Sequence, residues 1–120
     1  MTVLLVVLGA ALGAPARYLV DRLVQARHDS VFPWGTLAVN VAGSALLGFL
    51  AALPASPAVT AALGTGFCGA LTTYSTFSYE TLRLAQDGAR FYALANITAS
   101  LAGGLGAAYV GMVAATALTT

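Results

Sequence analysis

The stretch Gly64-Thr-Gly-Phe-Cys-Gly-Ala-Leu-Thr-Thr-Tyr-Ser-Thr-Phe-Ser-Tyr-Glu80 sits inside an apolar run that extends from Val59 to Leu84. Gly64, Gly66 and Gly69 precede five serine and threonine hydroxyls packed into the seven residues from Thr72 to Ser78. Glycine weakens a helix through backbone entropy, and β-branched threonine restricts it at χ1. An unbroken lipid-facing helix would not be written this way, so the pattern predicts an interruption at about mid-depth. Irregular backbone at that depth is tolerated only where it is buried in protein or lines a cavity. Carbonyls freed at such a break can coordinate a small cation. The competing reading is a continuous helix whose hydroxyls bond back to carbonyls one turn earlier.

Outward from this stretch, the 120 residues are 59% hydrophobic and 8% charged, against roughly 25% charged in an ordinary soluble domain. Four apolar stretches, about 3–24, 32–53, 59–84 and 91–118, each reach the length of about 20 residues needed to cross the hydrocarbon core. The fold class expected is an all-α membrane protein, residues 1–120 forming a single membrane domain of four crossings with the third one broken. The connections are Gln25-Ala-Arg-His-Asp-Ser30, Pro54-Ala-Ser-Pro57 and Ala85-Gln-Asp-Gly-Ala-Arg90, polar or proline-bearing as reversals at a membrane surface should be. The N-terminal run MTVLLVVLGAALGAPA has small residues at its end but no positive n-region, and its apolar pattern continues to Val24. It reads as a retained crossing rather than a cleaved signal. Gly9 and Gly13, and the patch Gly103-Gly104-Leu-Gly106, offer small-residue surfaces for close helix approach.

The charge pattern excludes some partners. A net charge of +1 with no basic run gives no footprint for nucleic acid. Arg22, Arg27, Arg83 and Arg90 cluster around the first and third connections, a bias that favours those connections on the cytoplasmic side and both termini outside and leaves the orientation open. The single cysteine, Cys68, has no partner for an internal disulfide and no metal-site spacing; it reads as a small buried side chain. Trp34 and Tyr92 stand just inside connections, where amphipathic rings anchor at headgroup level. No internal repeat is visible, so inverted symmetry, if the working structure has it, comes from two chains. That points to a dimer.

Several residues are costly in lipid. Arg17 lies roughly 21 Å along the first helix; it either snorkels to the interface or offers a permanent positive charge to anions at a vestibule mouth. Asp21, one turn later, is its candidate partner. Asn40 lies roughly 12 Å into the second helix, as interhelical glue or as an amide presenting two donors to an anion. Tyr92, Asn96 and Ser100 recur every four residues and share one face of the fourth helix.

Taken in order, three motifs resemble the Fluc, or CrcB, fluoride channel family over nearly the whole chain. They are Gly9-x-x-x-Gly13-Ala14-x-x-Arg17-Tyr18; Gly35-Thr36-x-x-x-Asn40-x-x-Gly43-Ser44 followed by Gly48-Phe49; and Gly66-x-x-Gly69-x-x-Thr72-Thr73-Tyr74-Ser75-Thr76-Phe77-Ser78-x-Glu80. The third is the specific one. The resemblance implies an antiparallel, dual-topology dimer with two fluoride pathways at its interface and a structural sodium ion on its axis. It implies that Arg17 attracts anions, that Asn40 lines the pore, and that Tyr74 and Phe77 hold the two aromatic positions. It also implies that the backbone carbonyls of Gly69 and Thr72 bind the sodium. Tyr92, Asn96 and Ser100 fall near the family's polar track by spacing. The expected function is passive, selective fluoride export across a bacterial inner membrane, relieving fluoride toxicity, with a second copy or a related chain as partner. Tyr74 departs from the family's usual phenylalanine, which leaves open whether both pores conduct and whether the dimer is homomeric.

Two other classes compete. A small multidrug transporter has a similar size but needs a carboxylate deep in the membrane, and the first helix has none before Asp21. A non-transporting assembly subunit would use its polar residues for packing alone. Enzymatic activity has no paired nucleophile and base to rest on.

Overall fold

The structure is a computed structural model describing residues 2–28 and 32–119. Helix α1 spans Thr2–Arg27 and α2 spans Trp34–Ala52. The third apolar segment opens with α3, Pro57–Val59, continues as a π-helical segment over Thr60–Cys68, and returns to α-helix in α4, Gly69–Leu71. After the interruption at Thr72, Thr73 and Tyr74, the chain resumes as α5, Ser75–Gln86, and ends in α6, Arg90–Thr119. No strand occurs among the described residues. Three helices, α1, α2 and α6, are each long and apolar enough to cross a membrane.

The boundaries follow local chemistry. Ser56 accepts a hydrogen bond from the Val59 N–H at 3.3 Å, with Pro57 at the first helical position, a start signal that combines a capping hydroxyl with a preset φ. Gly88, at φ 84°, turns the chain between α5 and α6, a conformation that costs glycine little. Helix α1 runs past the expected end at Val24 to Arg27; the polar connection expected at 25–30 is therefore shorter, and its last two residues lie outside the described ones.

Packing depends on backbone-to-backbone approach. Helix α1 lies against the π segment, where a Cβ at Gly9 would collide with the Ala62 carbonyl and one at Gly13 with that of Phe67. Helix α2 lies against α6, where a Cβ at Gly48 would meet the Ala108 carbonyl and one at Gly111 that of Ala45. Lipid supplies no hydrophobic drive between helices, so van der Waals contact at this range is what holds the pairs. The expected Gly103–Gly106 surface contributes less: Gly103 meets Val41, while Gly106 faces open space. The first and third connections meet at one end of the bundle, around a cavity of about 380 Å³ lined by Gln25, Pro33, Arg83 and Asp87. Trp34 stacks there on Phe32 and His28, with centroids 4.7 and 5.5 Å away.

Because nothing between α2 and α6 can yield at Gly48 except main chain, Gly48→Val should separate the two helices. We expect a loss of stability of roughly 1–3 kcal/mol in detergent unfolding, whereas Gly106→Ala should not lower the unfolding midpoint.

Candidate functional site at the helix break

The turn to extended backbone at Thr72 interrupts the helical hydrogen bonds, and an unpaired peptide group costs several kcal/mol in hydrocarbon. The chain resolves this with side chains. Asn40 Nδ2 donates to the Thr73 carbonyl at 3.0 Å, and the Thr73 N–H donates to Asn40 Oδ1 at 2.8 Å. One carboxamide thus serves both peptide groups of the residue at the centre of the break. Only one orientation of the amide satisfies both bonds. Gly43, one turn along α2, makes the approach possible: a Cβ there would overlap the Thr72 methyl.

The ends of the break are closed by hydroxyls. Thr72 Oγ1 and the Thr72 N–H both donate to the Cys68 carbonyl, at 2.8 and 3.0 Å. The Thr76 N–H donates to Thr73 Oγ1 at 3.1 Å, the geometry of a threonine cap over the first turn of α5. Thr72 itself is extended, with φ −82° and ψ 160°. The hydroxyl-rich run therefore breaks the helix, and the alternative of an unbroken helix is set aside. The glycines that precede it serve a different purpose. They lie in the π segment or at its edge, where the Gly69 N–H bonds to the carbonyls of Gly64 and Gly66.

A groove of about 690 Å³ runs beside the break and gathers Asn40, Gly69, Thr72, Tyr74, Phe77 and Ser100 along its walls. The Tyr74 and Phe77 ring centroids are 6.2 Å apart at 49°. Tyr74 is 81% exposed on the single protomer, so one copy of the chain gives this ring no enclosing wall.

The polar line on α6 is partly internal. Asn96, 1% exposed, donates to Thr81 Oγ1 at 2.8 Å, and Thr81 donates to the Phe77 carbonyl at 2.8 Å. Ser100 donates to Asn96 Oδ1 at 3.5 Å. Asn96 therefore ties α6 to the α5 turn that carries Phe77, while Ser100 reaches the groove. Tyr92 stands apart, edge-on to Phe91 with centroids 5.6 Å apart. Arg17 is also outside the groove. It forms no ion pair with Asp21, whose carboxylate instead fills the space beside Gly35; the ion pair among the described residues is Arg83–Asp87 at 3.9 Å. Arg17 Nε and Glu80 Oε1 are buried without a partner among the described residues.

Sequence reasoning missed Thr73 and Thr81 as site residues. Thr73 was visible only as one hydroxyl among five. Thr81 lies one turn beyond the cluster, and its distance from Asn96 in sequence hides the contact.

Long apolar helices around a polar break that is satisfied from within define a multi-pass, all-helical membrane protein. The family described as CrcB-like protein, Camphor Resistance (CrcB), matches residues 4–112. The chain is 62% identical over 122 residues to the fluoride-specific ion channel FluC 1 of Streptomyces avermitilis, with 98% of each chain covered. It is 57% identical over 127 residues to the protein of the same name from Frankia casuarinae, again with 98% of each covered. A third, from Nocardia farcinica, is 57% identical over 109 residues, covering 91% of this chain and 77% of that one. The chain belongs to the CrcB-like family.

Replacing Asn40 by Leu would strip both peptide groups of Thr73 at once. With each group costing roughly 1–2 kcal/mol, the expected loss is about 2–4 kcal/mol, read as a lowered unfolding midpoint in detergent. A loss under half a kcal/mol would show that the break does not depend on this amide.

Proposed function

We propose that this chain is one subunit of a fluoride-selective channel that lets fluoride leave a bacterial cell passively through the inner membrane. The observation that carries the reading is the groove, which sets Asn40, Tyr74, Phe77 and Ser100 beside the break. Its support from outside the chain is that relatives covering almost its full length are named fluoride-specific ion channels. A channel needs no catalytic group. The third apolar segment, from α3 through α5, is the third of four crossings in this reading, and a second chain in antiparallel orientation closes the groove over the exposed Tyr74 ring.

Fluoride is small and holds its water strongly, so a pore has to replace that water without binding the ion too tightly to release it. An aromatic edge suits the task, because it is the positive end of the ring quadrupole and adds no full charge. Phe77 offers such an edge in the groove, and Tyr74 offers an edge and a hydroxyl. Asn40 spends one N–H on Thr73, which leaves its other N–H as the donor for an anion. The guanidinium of Arg17 supplies a positive charge, which favours anions in a vestibule.

A sodium ion on the dimer axis fits the donor set. Gly69 and Thr72 both border the groove, and a Cβ at Gly69 would meet nothing within 4 Å, so the protomer leaves that backbone approachable. No group of three or more His, Cys, Asp or Glu capable of holding a metal occurs among the described residues. Neutral carbonyl oxygens suit a hard cation of single charge. When bound, the ion would neutralise carbonyl dipoles that the break turns inward.

The deciding experiment is fluoride efflux from liposomes loaded with potassium fluoride and reconstituted with the purified protein, with chloride as the control ion. Fluoride should leave and chloride stay; absence of fluoride flux from assembled dimers overturns the channel reading. Phe77→Ile, which keeps bulk but loses the polarised edge, should lower flux at least about tenfold, an effect of roughly 1.4 kcal/mol, while dimers persist on size exclusion.

A further inference from the structure

We propose that Thr73 is the positioning residue of the cation site: by diverting two backbone N–H donors to side-chain partners, it releases the carbonyls of Gly69 and Thr72 for the ion. The inference deepens the sodium reading above and rests on it.

The argument is an account of donors. In a continuous α-helix the N–H of residue 73 bonds to the carbonyl of residue 69, and that of residue 76 to the carbonyl of residue 72. Neither bond is made here. The Thr73 N–H goes to Asn40 Oδ1 at 2.8 Å, and the Thr76 N–H goes to Thr73 Oγ1 at 3.1 Å. Each of the two donors that would have occupied Gly69 and Thr72 is therefore spent elsewhere, and both diversions pass through Thr73. The carbonyls that flank this pair are occupied: those of Cys68 and Thr73 receive hydrogen bonds from Thr72 and Asn40.

The division of labour is specific. Asn40 frees Gly69, and the Thr73 hydroxyl frees Thr72. A hydroxyl at position 73 is thus needed for the second carbonyl, while the first needs only the backbone of that residue. Loss of the hydroxyl returns the Thr76 N–H to the Thr72 carbonyl, extends α5 toward Thr73, and removes one oxygen per chain from the cation. This is a positional role, distinct from contact with the conducted anion.

The test is the sodium dependence of dimer retention in detergent, measured by size exclusion as sodium is replaced by N-methylglucamine, for the wild type, Thr73→Val, Thr73→Ala and Thr73→Ser. A ligand that binds only the assembled state stabilises it in proportion to the logarithm of its concentration, so weaker binding appears as a shift along the sodium axis. Val and Ala should need at least about tenfold more sodium for half-retention, with Ser close to wild type. A wild type that responds to sodium beside Val and Ala chains with the same midpoint overturns the assignment of Thr73 alone. A wild type indifferent to sodium overturns the cation site itself, and this inference with it. Failure of both Val and Ala chains to assemble at any sodium concentration, with Ser normal, assigns the hydroxyl to folding of α5 and overturns the inference.

Discussion

Everything at the centre of this protein depends on two hydrogen bonds between Asn40 and the backbone of Thr73. A chain that crosses hydrocarbon cannot leave a peptide unit unpaired, and the usual remedy is never to interrupt the helix. This chain interrupts it and supplies the missing partner from a different helix. The carboxamide is the natural side chain for the purpose, since it carries a donor and an acceptor in the same geometry as the peptide group it pairs with. The same two bonds fix the distance between α2 and the third segment, and Gly43 is small because that distance is short.

Once the break is held, the rest of the site follows from it. Thr73 caps α5, so the start of that helix is set, and with it the direction of Phe77. The far side of the Phe77 turn is held by Thr81 and by Asn96, which is buried in α6. Helices that touch mainly through glycine and alanine have little side-chain interlocking to fix their rotation. A few hydrogen bonds between them therefore weigh more than their number suggests, even at the modest energies measured within membranes.

Much of this was legible in the sequence, and the limits have physical causes. The break was visible because five hydroxyls in seven residues contradict a lipid-facing helix, and Asn40 stood out because an amide at that depth needs a partner. Their pairing was not visible, since residues 33 apart in sequence meet only through the packing of α2 on the third segment. Arg17 and Asp21 have the spacing of an ion pair on one helix face, yet Asp21 lies against Gly35 of α2 instead. The glycines at 64, 66 and 69 belong by composition to the interruption, yet they lie in the π-helical segment or at its edge. Glycine lowers the cost of any departure from α geometry, so composition alone could not distinguish a break from a change of winding.

That change of winding has a consequence for the arithmetic of the chain. A π-helix closes its hydrogen bonds over one residue more than an α-helix does, so Thr60–Cys68 advances fewer degrees per residue than α1 beside it. Residues after it are out of phase with a plain α-helix, and each residue added or removed would swing Thr72 and Thr73 by about 100° around the axis. Asn40 and Gly43 could then no longer find them. The segment from α3 to the break works as a ruler whose number of divisions is fixed, while the turn at Gly88 comes after the break and does not enter that count.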